Sequence, residues 1–194
     1  MIYPGNYDIT VLQNSTWREV FRATNAAKPV AIDTTTALFT SDCHKLLAGD
    51  KVYIAPTSSG STFPCSFNSD AVYFVIASGL TASSFRIANT VSGSSITFSG
   101  TASGTFSVSK PVDLTSYTID ADIKELLDYQ QIATFATSIV DASNGLFELL
   151  LSPSVSADLE VGDYGYDISL TAPNGDRYYW VTGALTLQRT FSRN

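Results

Sequence analysis

Histidine and cysteine are nearly missing from this chain of 194 residues, which has one His and two Cys. A zinc centre takes three or four His, Cys or carboxylate donors, so a single imidazole leaves it short of ligands. A His-activated nucleophile has one place to be, at His44 in the turn before Gly49-Asp50. That position reads as a turn residue whose ring bonds locally or packs on Tyr53. Charge is also scarce and one-sided: 15% of residues are charged, 11 Lys and Arg against 18 Asp and Glu, for a net charge of -7. Nucleic-acid surfaces need clustered cations, so no nucleic-acid partner is expected. No apolar run approaches the ~20 residues of a membrane-spanning helix, and no start before Tyr7 resembles a signal peptide. The expectation is therefore no membrane partner and a protein made and kept in a cytoplasm. There Cys43 and Cys65 are expected as two buried or half-buried thiols rather than a bridge. A Gly-rich phosphate loop ending in Lys-Ser/Thr is also missing, which removes support for nucleotide use.

What is present is the material of sheets. Hydrophobic residues make up 44% of the chain, too many for a disordered protein. Ser, Thr, Gly, Tyr and Phe dominate the rest, as in strands and turns. The expected class is all-β. Tyr164–Leu187 is the clearest unit, two strands joined at Asn174-Gly175, a strong hairpin signal. A two-residue turn there sets Leu170 opposite Tyr179 and Ile168 opposite Val181, giving one apolar face. Tyr178 and Trp180 then fall together on the other face, with Asp167, Ser169 and Thr171. Exposed Tyr and Trp are enriched at protein interfaces, so Tyr178 and Trp180 are the candidate interface residues, unless another strand or the insert covers them.

Further strands are expected over Tyr7–Gln13, Trp17–Ala23, Tyr117–Lys124, Ala133–Val140 and Leu146–Leu151. At Asn144-Gly145 a three-residue turn over Ser143–Gly145 would set Ile139 against Leu149 and Thr137 against Leu151, with Gly145 at positive φ. Glu125–Gln131 reads as a loop with one turn, and Ser156–Val161 as a short helical turn or loop.

One segment has a different character. Lys28-Pro29-Val30 recurs as Lys110-Pro111-Val112, and only the second copy is expected to run on into a strand, the Asn25–Pro29 stretch reading as a turn. Between the copies the chain is rich in Gly, Ser and Thr, with apolar pairs two residues apart: Val52/Ile54, Tyr73/Val75, Phe85/Ile87, Ile96/Phe98 and Phe106/Val108. Such pairs mark short strands of a small barrel or sandwich. Residues 34–109 therefore read as a module inserted into a host domain made of 1–33 and 110–194. An insertion of this kind costs little in loop closure provided its ends meet.

Candidate chemistry is thin. Asp120 and Asp122 lie two residues apart on one strand face, not across a cleft as paired catalytic acids must. Asp158, Glu160 and Asp163 lie near a loop without the spacing of a calcium loop. Both sets read as solvated acids, and no catalytic residue, metal or cofactor is expected.

Two resemblances follow from the motifs. Pro111-Val112-Asp113-Leu114-Thr115-Ser116-Tyr117, Ile132-Ala133-Thr134-Phe135, Asn144-Gly145-Leu146, Tyr164-Gly165-Tyr166-Asp167-Ile168, the Gly175 hairpin and Gly183–Leu187 together resemble the N-terminal domain of baseplate upper proteins of tailed bacteriophages, an immunoglobulin-like sandwich. That family normally has Gly where this chain has Ser116. The insert, through His44–Val52, Phe63-Pro64, Tyr73-Phe74-Val75, Ser84-Phe85-Arg86-Ile87 and Ser103–Val108, resembles a small β-module of phage tail and virion proteins. That module usually has Gly after the His, where this chain has Lys45. The resemblances imply an immunoglobulin-like β-sandwich interrupted by a small β-barrel or sandwich. They also imply a non-enzymatic structural component of a tailed-phage virion, of the tail or baseplate or an adaptor. Its partners would be other phage structural proteins and further copies of itself. Alternatives of the same kind are a capsid decoration or fibre-anchoring protein; the different-class alternative is a carbohydrate-binding, host-recognition module.

Overall fold

The computed structural model of the chain describes residues 5–190. They form two compact units, one from residues 5–23 and 112–190 and the other from Thr24–Pro111. In chain order the strands are β1 (Gly5–Asn6), β2 (Ile9–Leu12) and β3 (Trp17–Arg22), then β4 (Lys28–Asp33), β5 (Leu38–Thr40), β6 (Lys51–Pro56), β7 (Tyr73–Ile76), β8 (Ser84–Ala88) and β9 (Phe106–Ser109). The chain continues through β10 (Thr118–Lys124), β11 (Gln131–Thr134), β12 (Ala136–Asp141), β13 (Leu146–Leu151), β14 (Gly162–Thr171) and β15 (Arg177–Gln188). A 3-10 turn covers Ala142–Asn144, and the one α-helix among the described residues is α1 (Pro153–Asp158). Ser152 starts α1, its Oγ accepting from the Val155 N–H, with Pro153 in the first turn where a missing N–H costs nothing.

The first unit is a two-sheet sandwich. One sheet runs β1–β15–β14–β10–β11, with β2 also on β15, and the other runs β12–β13–β3. Alternation of apolar residues explains which faces meet. Ile119, Ala121 and Ile123 of β10, Ile168 and Leu170 of β14 and Leu185 and Leu187 of β15 are buried, and Phe147, Leu149 and Leu151 of β13 and Phe21 of β3 join them in one core. Rings hold its centre: Phe21 stacks on Phe147 at 5.7 Å and Trp17 tilts against Phe135 at 5.6 Å.

The second unit is a closed barrel in the order β4–β5–β8–β7–β6–β9. Its inward pairs are those of the sequence pattern, with Val52 opposite Tyr73, Val75 opposite Ile87 and Ile54 opposite Val108. Ile96 and Phe98 form no strand; they pack half-buried on the barrel core, and the Ile96 N–H donates to Ile87 O. Lys110 pairs with Asp50 at 2.7 Å within this unit.

The unit that holds the barrel begins at Thr24 rather than at residue 34, and Lys28 and Pro29, expected at the end of a turn, open the strand Lys28–Asp33. β4 closes the barrel by pairing with β9 through Lys28–Val30 and with β5 through Ala31–Asp33. Pro29 is tolerated because it lies in the half of β4 that β5 does not pair, where no N–H is required on that side. The ends meet as an insertion requires: Thr24 bridges Pro111 at the barrel's base, and in the sandwich the Val112 N–H donates to Ala23 O at 2.9 Å.

Gly145 takes φ +72, as its position after the 3-10 turn demands. A Cβ there would sit 2.5 Å from Ala23 O and 2.9 Å from Val112 O, so the tight packing as well as the dihedral calls for glycine. The register of this hairpin differs from the sequence reading: Ile139 faces Phe147 and Thr137 faces Leu149. Two features cause it. The Asp141 carboxylate accepts from the Asn144 N–H and winds Ala142–Asn144 into a turn one residue longer than expected, and a bulge between Ile139 and Asp141 shifts the register by one more.

Candidate functional site

The two interface candidates do not share an outward face. The hairpin loop is Ala172–Asp176, closed by Gly175 N–H to Ala172 O and Ala172 N–H to Asp176 O. A two-residue turn would place Pro173 at the last paired position, where it has no N–H to donate. Instead the wider loop sets Leu170 opposite Tyr178 and Ser169 opposite Tyr179, and a bulge at Trp180 restores Ile168 opposite Val181. Tyr178 thus takes the phase of the core-facing residues at the open end of the sandwich and stays exposed, its hydroxyl near Asp176. Trp180 is half-buried, edge-on to Phe147 at 5.4 Å and to Phe21 at 6.2 Å. Tyr179, not Trp180, is the exposed ring on the outward side, and Arg177 covers it at 5.4 Å while donating to Ser169 Oγ.

His44, Asp120 and Asp163 are engaged in structural work. His44 is buried; its Nδ1 accepts from the Leu46 N–H at 2.9 Å and its Nε2 faces Ser84 O at 3.3 Å. The local bonding expected of it is there, and its ring is edge-on to Phe85. Both nitrogens are therefore occupied by the fold. Asp120 lies 3.9 Å from Arg177 on the outward face, and Asp167 pairs with Lys124. Asp163 accepts from the Thr186 hydroxyl. Among the described residues no three His, Cys, Asp or Glu side chains gather as a metal site would need. Cys43 and Cys65 are free thiols, and both are exposed rather than buried or half-buried as expected.

What the structure brings together, and the sequence reading missed, is a recess of about 480 Å³ in the sandwich. Gly165 of β14 lies opposite Ala184 of β15 and gives it a nearly bare floor. Lys124, Asp167, Asp8 and Thr182 stand at its sides, and the loop after β10 supplies Glu125, Leu126 and Tyr129 as a wall. That loop is closed by Glu125 N–H to Gln130 O and Tyr129 N–H to Glu125 O, and Asp128 accepts from the Gln130 N–H. It holds Tyr129 75% exposed at φ +58 and Leu127 95% exposed. The only sequence signal was an apolar Leu126-Leu127 and a Tyr inside a loop, where apolar residues bury nothing.

No protein-family model matches the chain, and no curated protein matches it either. Its role must therefore be read from the residues and their geometry.

Electrostatics around the recess are local. The Asp167 carboxylate beside Lys124 holds its ammonium above the usual lysine range, against the opposing effect of burial. Burial pushes the Tyr166 phenol well above its ordinary value, helped by Tyr7 and Asp8. Tyr73 and Tyr164 are raised as well, again chiefly by burial. A phenol whose folded pKa lies above its unfolded value contributes its full stability below the unfolded pKa, about 10. That contribution falls as pH rises from there toward the folded value. Urea melts between about pH 9 and 12 should show stability declining from about pH 10 upward. Tyr166→Phe should flatten that decline while lowering the neutral-pH value, because the Tyr166 hydroxyl donates to Tyr7 O.

Proposed function

We propose that this protein is a non-enzymatic structural component of a tailed-phage particle, docking to neighbouring virion proteins and to further copies of itself. One observation supports it above the others. The two resemblances call for Gly at positions 116 and 45, and Ser116 and Lys45 take φ +62 and +57. Among the described residues only seven other than glycine have positive φ, so at both positions the backbone takes the conformation that favours the glycine the resemblances call for. The two-sheet sandwich with an inserted closed barrel is the architecture the same resemblances imply. Contact between copies would use exposed rings such as Tyr178 and Tyr179, with Trp180 kept for the sandwich itself. Repeated copies around a particle axis are the usual outcome of such docking.

Recovery of the chain with gradient-purified particles, and antibody labelling confined to one place on the tail, is the expected result. A chain that stays in the soluble fraction and is missing from purified particles would overturn the reading. The backbone observation has its own check. Left-handed φ costs an ordinary residue about 1–2 kcal/mol, partly offset by the entropy glycine loses on folding. Ser116→Gly and Lys45→Gly should therefore each stabilise by about 0.5–1 kcal/mol in denaturant melts.

A further inference from the structure

We propose that the recess between the loop after β10 and the β14–β15 floor binds a neutral oligosaccharide. This rests on the sandwich alone and stands or falls apart from the particle reading. The recess volume of about 480 Å³ lies inside the range of small-ligand sites, about 300–1,000 Å³. Tyr129 carries two costs at once: a ring held three-quarters in water, and left-handed φ, which a bulky side chain rarely adopts. Strained, exposed positions held by an ordered loop are where binding residues concentrate. A ligand laid against the ring removes the first cost.

The lining selects the ligand class. Three carboxylates, Asp8, Glu125 and Asp167, stand against one ammonium, Lys124, which Asp167 already holds. An anion such as a phosphate or a sulfated or acidic sugar would meet repulsion, in a chain whose net charge is -7. A wholly apolar ligand would strip water from those acceptors with nothing to replace it. A neutral sugar answers both surfaces. Its C–H face suits the electron-rich face of Tyr129, and its hydroxyls can donate to Asp8 and Glu125 and exchange bonds with Asn6 and Thr182. The Asp8 carboxylate is positioned for this by accepting the Ala184 N–H at 2.9 Å. A basic peptide would also meet carboxylates. But peptides are held along strand edges or long grooves, and here the floor strands have their backbone groups in the sheet, β14 being paired on both sides.

The test is an amide-shift titration of the full chain with short neutral oligomers of glucose, galactose, mannose and N-acetylglucosamine. A Lys/Arg-rich peptide and a sulfated oligosaccharide run as comparisons. At least one neutral oligomer should move the amides of Gly165, Gly183 and Ala184. Tyr129→Asn, which tolerates the left-handed backbone, and Ala184→Leu, which fills the floor, should each weaken it by about tenfold or more. Both positions lie outside the buried core, so the melting temperature should stay put. The proposal is overturned if no neutral oligomer shifts those amides at millimolar concentration, if both variants bind as well as the parent, or if only the peptide or the sulfated sugar occupies the recess.

Discussion

Gly183→Ala is expected to lower the unfolding free energy of the sandwich by about 3 kcal/mol, among the larger effects of a single added methyl. Gly183 lies in β15 opposite Tyr166. On its other side β1 pairs at Val181 and Thr182 and β2 at Leu185 through Gln188, both parallel to β15, so the Tyr7-Asp8 step passes directly beside it. A Cβ at 183 would lie 2.0 Å from Tyr7 O and 2.8 Å from the Tyr166 ring. Neither neighbour can yield cheaply. The Tyr7 carbonyl accepts from the Tyr166 hydroxyl, and the Tyr7 N–H donates to Thr182 O at 3.2 Å. The relief open to the chain is to peel β1 and β2 from the sheet, exposing Ile9 and Val11, both buried in the core. Both tryptophans pack on the sandwich core, so their fluorescence follows this unit, and its melting midpoint should drop by about 10–20 °C. Gly162→Ala in the same sheet, where a Cβ meets nothing within 4 Å, should leave it nearly unchanged. An equal, small effect of the two substitutions would mean that β1 and β2 do not run against β15 at this spacing.

The hairpin that contains Gly183 also shows what the sequence could and could not tell. Apolar residues alternate through Tyr166, Ile168 and Leu170, and that phase fixed the buried face of β14. Across the turn, Tyr178-Tyr179-Trp180 offers three aromatic rings in a row, with no polar residue to set the phase, so the turn had to set it. Asn174-Gly175 argued for two residues; Pro173, one position earlier, forbids that turn and makes the loop wider. The interface pair was misplaced for that reason. β4 was lost to the same residue type, since proline reads as a turn unless the pairing partners are known. Gly145 was legible because Asn-Gly demands positive φ, whereas the register around it depended on an Asp141 cap and a bulge in β12 that only the folded hairpin creates. The recess was illegible altogether. Its floor, sides and wall come from both ends and the middle of the chain, and no local pattern brings Asn6, Tyr129 and Ala184 together.

Phe39→Ala should unfold the barrel at lower denaturant while leaving the sandwich transition where it is. Phe39 is fully buried, stacked on Phe85 at 5.3 Å, edge-on to Phe98 at 5.8 Å and opposite Ile32 across β4 and β5. Truncating a buried phenylalanine costs about 3–5 kcal/mol, since the lost transfer energy adds to a cavity that rigid neighbours cannot close. The neighbours here are two rings and an isoleucine from three separate segments, so little collapse is available. A barrel of this size has a total stability of about 5–10 kcal/mol, and half of it or more would be gone. Because Trp17 and Trp180 both belong to the sandwich and the barrel contains no tryptophan, the two units can be read separately. Circular dichroism, which sees both, should split into an early and a late transition, and tryptophan emission should follow only the late one. Phe147→Ala, at the centre of the sandwich against Phe21 and Trp180, should do the reverse and move the fluorescence transition. Contacts within each unit are closed by Thr24–Pro111 on one side and Ala23–Val112 on the other, which is why each core is expected to stand or fall with its own rings. If fluorescence and circular dichroism instead shift together for both variants, the two cores melt as one and the barrel is no separable insert.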